Sequence, residues 1–334
     1  MKDYDIYIVA FSGGKDSTAS FLHLLDIGIP REKIELWHHD IDGKGEHFMD
    51  WEVTPSYCKQ FADSFGVPIY FSWREGGFEQ EMLRKESATA PVWFEVPRDE
   101  WETSKLRKYS GTGSFYLKAG GDGPLGTRMK FPQVSADLSV RWCSAYLKID
   151  VMTMAIRNQT RFNGKRTLVI SGERAAESPA RAKYKEFEPD RADLRDGRKI
   201  SRVVDRWRAI KSWTEEEVWR VIKQHKVRVH PAYYLGWGRV SCKFCIFGNA
   251  NQFASAIAVS PEQGWAIAEY EKMFGVTIKR NEDIRELAKK GTPYERLRDN
   301  HLINIATSTK YKEDIFMDPW ILPLGAYGES CGPV

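Results

Sequence analysis

Apolar runs alternate with helical periodicity over the first 75 residues. Tyr4 to Phe11 (YDIYIVAF) reads as a buried strand, and Ser17 to Asp26 as the helix that follows it. Lys33 to His39 (KIELWHH) reads as a second strand and Val67 to Trp73 as a third. Between them Thr54 to Phe65 predicts a helix, with Thr54 as N-cap, Pro55 at the first position and Gly66 as the left-handed stop. Strands alternating with helices imply a parallel sheet whose ligand sits at the carboxyl ends of its strands. From about 75 to 135 the pattern breaks down: glycines and prolines interrupt it, with a helix-like EQEMLRKES and a strand-like PVWFEVP inside. Leu138 to Gln159 then predicts one helix and Thr167 to Ser171 another buried strand, while 182–205 is charged and reads as a surface loop. Ser212 with Glu215, or Thr214 with Glu217, forms a capping box for a helix ending near His225. From Ser260 onward the chain is helical, with Gly275 and Gly291 as stops. The organisation this predicts is an α/β domain over 1–250 with an insertion at about 75–135. A helical C-terminal region and flexible tail over 251–334 follow.

The first strand runs into Ser12-Gly13-Gly14-Lys15-Asp16-Ser17. A glycine turn between a strand and a helix N-terminus makes an anion site, because the backbone approaches closely and the first helical N–H groups point outward. Lys15 adds a cation, and Ser12 and Ser17 add hydroxyls. Asp16 beside a phosphate makes sense if it caps the helix or holds Mg²⁺ that the phosphates also bind. The spacing fits neither the P-loop NTPase pattern nor the dinucleotide fingerprint. It resembles the PP-loop of the ATP pyrophosphatase and sulfonucleotide reductase superfamily, which implies an adenine nucleotide. His38 to Asp42, at the end of the second strand, are placed near that nucleotide. His38 and Asp40 are therefore candidates for its base or ribose.

Composition narrows the class. The chain has 334 residues, 42% hydrophobic and 29% charged, as expected of a soluble globular protein. No apolar run approaches a membrane span and the N-terminus is not a signal peptide, so a cytoplasmic location is expected. A net charge of +4 is compatible with an anionic substrate. The 75–135 stretch interleaves Arg98, Lys105, Arg107, Lys108, Lys118 and Arg128 with Trp101 and Tyr116. Such a mixture can grip nucleic acid. Acidic residues mixed in favour the alternative, a solvated insertion covering the active site or a partner. Oligomeric state is left open.

Past the strand at 167–171 comes Gly172-Glu173-Arg174, then Arg181. Gly172 sits at a strand end, and the two arginines can hold phosphate or sulfate bidentately. The order SGGKDS, R-W-C-x-x-x-L-K, G-x-R-x-x-E-S-x-x-R, W-T-x-x-x-V-W, H-P-x-Y-x-x-G, C-x-x-C resembles the phosphoadenosine phosphosulfate reductase family. The resemblance implies a Rossmann-like (HUP-type) α/β fold, a mostly parallel sheet flanked by helices. It also implies ATP or a sulfated adenine nucleotide as ligand, with Mg²⁺ where ATP is used, and a sulfur donor or thiol reductant as partner.

Five cysteines in such a chain argue for metal or thiol chemistry rather than disulfides. Cys143, Cys242 and Cys245 supply three ligands, one short of a structural zinc site and enough for a [4Fe–4S] cluster with one open iron. Cys58 reads as packing. The tail Glu329-Ser330-Cys331-Gly332 resembles the reductases' C-terminal cysteine motif but inserts a serine and lacks its histidine. The leading expectation is ATP-dependent adenylation followed by sulfur transfer. Lys15, Asp16, Arg174 and Arg181 would act on the phosphates, with Gly13 and Gly14 holding the pyrophosphate. The runner-up is sulfonucleotide reduction, with Cys331 attacking the sulfate sulfur. A third reading is a non-catalytic nucleotide-binding regulator that engages DNA or a protein.

Overall fold

A computed structural model describes residues 3–108 and 113–328. Among these residues nine strands form one sheet: β1 (Ile6–Ala10), β2 (Ile34–Asp40), β3 (Ile69–Arg74), β4 (Val92–Val96), β5 (Arg107–Lys108), β6 (Phe115–Ala119), β7 (Arg166–Ile170), β8 (Phe187–Pro189) and β9 (Val203–Trp207). Their order is β5-β6-β4-β3-β2-β1-β7-β9-β8. The central five, β3-β2-β1-β7-β9, are parallel. The outer strands join antiparallel on both flanks. This is the α/β, Rossmann-like architecture with a parallel core that the alternation implied, and β1 and β7 lie side by side at its centre.

Alternation along the central strands divides the core. Tyr7, Val9, Leu36 and Ile170 face a large cluster that includes Phe21 and Leu24 of the helix Lys15–Asp26, Phe61 and Phe65 of the helix Thr54–Phe65, and Trp219 of the helix Glu215–Gln224. Phe253, Ile267 and Ile284 of the C-terminal helices belong to the same cluster. Ile8, Trp37, Val169 and Val204 face the other way, onto Val151, Ala155 and Ile156 of the helix Asp150–Arg157. Each strand is thus buried on both sides, which is why the runs read as continuously apolar.

The structure departs from the sequence expectations at identifiable points. The 75–135 stretch is not irregular throughout: β4, β5 and β6 extend the sheet antiparallel beyond β3. The charged 182–205 segment contains β8 and leads into β9, because an antiparallel edge strand needs only a short, half-buried run. The predicted helix over 138–159 is broken into Trp142–Ser144, a π turn at Ala145–Ile149 and Asp150–Arg157. Val53 rather than Thr54 caps the second helix, because the Thr54 hydroxyl bonds His230 instead. Lys290, not Gly291, ends the helix Ile284–Lys289. Gly66 and Gly275 hold the left-handed caps expected of them, and the Thr214–Glu217 capping box is formed.

Candidate active site

The PP-loop joins β1 to the helix Lys15–Asp26. Gly13 turns the chain at φ +77°, and a Cβ there would lie 3.2 Å from the Cys58 sulfur and 3.3 Å from the Tyr57 ring. Gly14 is the N-cap, so Asp16 does not cap the helix. Ser17 Oγ donates to the Gly14 carbonyl at 2.9 Å and lies 3.3 Å from Ser12 Oγ, tying the two ends of the turn together.

Residues far along the chain complete the loop. The Lys15 N–H donates to the Tyr233 hydroxyl at 2.8 Å. That first helical donor, expected to face a phosphate, is therefore already engaged. The Tyr233 oxygen also accepts from Val240 N–H at 3.4 Å, and its own hydrogen is left to donate. Lys15 Nζ donates to the Gly238 carbonyl at 2.8 Å and lies 3.3 Å from Glu215. Burial pulls the Lys15 ammonium down, but Tyr233, Asp16 and Glu215 outweigh it, so it stays charged. Tyr233 is held by the helix Pro231–Leu235, whose cap His230 accepts from Ala232 N–H at Nδ1. Its Nε2 then carries the hydrogen and donates to Thr54 Oγ1 at 3.1 Å. Burial lowers His230 to about 3, so this imidazole is neutral.

The end of β7 packs directly on the PP-loop. A Cβ at Gly172 would stand 2.9 Å from the Asp16 carbonyl carbon and oxygen and 3.0 Å from Ser17 N. Two residues on, Arg174 is buried and its Nε donates to Asp16 Oδ1 at 2.6 Å. Burial lowers the Arg174 guanidinium, but Asp16 more than compensates. Arg181 pairs with Glu177, and Glu177 also accepts from the Arg174 N–H at 2.8 Å. Both predicted anion-binding arginines thus rest on carboxylates. A cavity of about 180 Å³ opens between these groups, lined by Ser12, Gly14, Asp16, Arg181, Tyr233 and Arg239. A second, of about 470 Å³, is lined by Lys15, Arg174, Lys211, Glu215 and Arg239. Among the described residues no three His, Cys, Asp or Glu side chains converge on a metal position. Asp16, Glu173 and Glu177 all line the smaller cavity, which suits Mg²⁺ arriving on phosphates, an ion usually held by one or two carboxylates.

The cysteines lie beyond Val240. The carbonyl of Val240 is 3.3 Å from a Cβ built on Gly14, so the segment 238–240 lies across the PP-loop and delivers Cys242 two residues later. Cys245 N–H donates to the Cys242 carbonyl at 3.1 Å, closing the turn between the two thiols. Cys143, just before the π turn, shares a field with both: each of Cys143 and Cys242 is raised by burial and by its cysteine neighbours and lowered by Lys148. Cys143 reaches about 11. Among the described residues the three thiols do not form a group that could hold a metal ion. Cys58 is buried and packs on Gly13, as its packing role required. Cys331 lies outside the described residues.

The strand-end histidines do not face the cavities. His38 is buried, donates from Nδ1 to the Phe11 carbonyl at 3.0 Å and packs on Phe71. His39 bonds Ser72 Oγ at 2.7 Å. Burial lowers His38 to about 4 and His39 to about 3. Asp40 accepts from Asp42 N–H at 3.1 Å and is raised well above the usual carboxylate range by burial and by Asp42 and Asp50. Tyr233 and Arg239 are the site residues that sequence reasoning missed. The H-P-x-Y-x-x-G motif held one of them in view but not its contact with Lys15.

Among the described residues no helix is long and apolar enough to cross a membrane. Residues 126–247 match the family model described as the phosphoadenosine phosphosulfate reductase domain. That span includes Cys143, Arg174, Arg181, Tyr233, Cys242 and Cys245, and the PP-loop lies before it. An uncharacterized 37.8 kDa protein of Escherichia phage 186, from the gpa 5′ region, is 28% identical over 278 residues, covering 82% of this chain and 77% of that protein.

Proposed function

This chain carries a domain of the phosphoadenosine phosphosulfate reductase family, and from that premise we propose that it activates an acceptor with ATP and transfers sulfur to it. The observation that carries this reading is the segment 238–240. It touches Gly14 and Lys15 on one side and leads to Cys242 on the other. This contact supports a shared site for nucleotide phosphates and thiol sulfur, near the carboxyl ends of β1 and β7 where such sheets bind their ligands.

An acceptor oxygen attacks the α-phosphorus of ATP, forming an adenylated acceptor as the bond to pyrophosphate breaks. A sulfur nucleophile supplied by a sulfide-level donor then attacks the acceptor, and AMP leaves with the oxygen. Gly13 and Ser17 receive the pyrophosphate, Lys15 neutralises it, and Mg²⁺ enters with it beside Asp16. Arg174 and Arg181 exchange their carboxylate partners for the charge that develops on phosphate. The Tyr233 hydroxyl donates its one free hydrogen into the smaller cavity. Cys143, Cys242 and Cys245 would hold a [4Fe–4S] cluster, which would supply a binding position for sulfide.

A second reading follows from the matched family's description: reduction of a sulfated adenine nucleotide, in which the Cys331 thiolate attacks the sulfate sulfur, the sulfur–oxygen bond to the nucleotide's phosphate breaks and the nucleotide leaves, and a thiol reductant then attacks the Cys331 sulfur, releasing sulfite and forming a disulfide. Acceptor-dependent release of pyrophosphate from ATP, followed by labelled sulfur in the acceptor, is expected under the first reading. Thiol-dependent formation of sulfite from a sulfated nucleotide, without pyrophosphate release, would overturn it. Anaerobic purification with iron and acid-labile sulfide analysis tests the cluster separately, and replacing any one of the three cysteines with serine should lower its iron content.

A further inference from the structure

Beyond β3 the sheet presents a face that the nucleotide chemistry does not use. Cross-strand partners share a face of a sheet, and residues two apart lie on the same side. Trp73 pairs with Trp93, Trp93 with Lys118, Glu95 with Tyr116 and Tyr116 with Lys108. These residues therefore form one surface across β3, β4, β6 and β5. The opposite surface, Val92, Phe94, Val96, Leu117 and Ala119, is buried in the core.

The rings are ordered against one another and interleaved with cations. Trp73 and Trp93 are parallel within 6° at 6.3 Å, and Tyr116 meets Trp73 edge-on at 5.2 Å. Lys118 lies 4.9 Å from the Trp93 ring. Lys44 lies 4.5 Å from the Tyr116 ring and 5.7 Å from Trp73, and donates to the Tyr116 hydroxyl at 3.0 Å. Lys44 is the tip of a turn between Gly43 and Gly45, both left-handed at φ +90° and +85°. Beneath it is a cavity of about 570 Å³ with Phe71, Trp73 and Tyr116 on its wall and the carboxyls of Asp40 and Glu95 at its side. Lys105 and Lys108 are exposed along the neighbouring edge, whereas Arg107, paired with Leu117, belongs to the opposite side of β5.

We propose that this face binds a single-stranded nucleic acid, seating one base in the cavity against Trp73 and Tyr116 in place of the Lys44 side chain. Rings give sequence-tolerant stacking, and the edge cations follow the phosphates. Glu95, whose Oε2 accepts from the Phe71 N–H, would offer its other carboxylate oxygen to an exocyclic amino group. A duplex does not fit, because its bases are stacked and paired away from such a cavity. The occupant is not the nucleotide of the PP-loop. The helix Thr54–Phe65 stands between the two places, with Tyr57 and Cys58 against Gly13 while Pro55, Ser56 and Lys59 line the cavity. The strand is a candidate acceptor, and only that role rests on the sulfur-transfer reading.

The test is fluorescence anisotropy of a labelled single-stranded oligonucleotide of about a dozen bases on the full chain, with a duplex of equal length beside it. Single strand should bind more tightly than duplex, and affinity should fall as salt rises. Trp93→Ala removes the ring parallel to Trp73 and the seat of Lys118, and should weaken binding severalfold. Tyr116→Phe keeps the ring and releases Lys44, so it should bind at least as well as the parent. Lys105→Glu with Lys108→Glu, at exposed positions, should also weaken binding and flatten the salt dependence, which covers a Trp93 variant that does not fold. Equal binding of duplex and single strand, no binding, or unchanged affinity in the charge-reversal variant would overturn the proposal. A chain that binds the oligonucleotide yet releases no pyrophosphate would sink the sulfur-transfer reading and leave this one standing.

Discussion

Gly172→Ala isolates the packing of β7 on the PP-loop. The new methyl would lie 2.9 Å from the Asp16 carbonyl carbon and oxygen and 3.0 Å from Ser17 N. These are backbone atoms and cannot rotate away. Reaching ordinary contact at ~3.5 Å requires a separation of about 0.6 Å between strand end and helix N-terminus. Overpacking of this kind costs about 1–3 kcal/mol. For a 334-residue chain that corresponds to a fall in Tm of roughly 1.5–4 °C. The same movement displaces Asp16 from Arg174 and shifts the loop that would hold the phosphates, so ATP affinity should fall about tenfold or more. Gly123→Ala is the control: a Cβ there meets nothing within 4 Å, and its effect should stay within about 0.5 kcal/mol. Calorimetric melting and equilibrium nucleotide binding read the two quantities. A Gly172→Ala protein with the parent's Tm and affinity would refute the reasoning, since the close approach would then not constrain the loop.

Tyr233→Phe removes the acceptor of the buried Lys15 N–H and should destabilise the fold by about 1–3 kcal/mol in urea unfolding, with weaker ATP binding. Asp16→Asn leaves the Arg174 guanidinium without its anion, and the iron content of anaerobically purified protein should not change, because no cysteine is touched. His38 supplies a pH dependence. Its native pKa lies near 4, below the ordinary 6.5, so between those values the unfolded chain binds a proton that the native chain excludes. Its contribution is complete above 6.5 and is lost as pH falls, about 3 kcal/mol over the window. The stability difference between the parent and His38→Gln should shrink on going from pH 7 to pH 5. A difference independent of pH would show that His38 takes up its proton as readily in the native chain as in the unfolded one, against the burial argument.

The residues themselves specified much of the local structure. Strand, glycine turn and helix around SGGKDS, the Thr214–Glu217 box and the Gly66 stop depend on neighbours a few positions away, and each was legible as a pattern. The basic and aromatic character of the 75–135 stretch was visible too. Its pattern could not show that Trp93 would stand opposite Trp73, because register between strands is settled only when both faces find their partners. The same holds for the site. Lys15 meets Tyr233 across 218 residues and Gly238 across 223, and Arg174 meets Asp16 across 158. His38 looked like a ligand contact at a strand end, yet alternation along β2 turned it into the core. The sequence by itself determined a PP-loop on an α/β scaffold with three cysteines to spare. The tertiary structure decided that the segment before Cys242 crosses that loop, because such contacts arise from chain topology and burial, which no local spacing encodes.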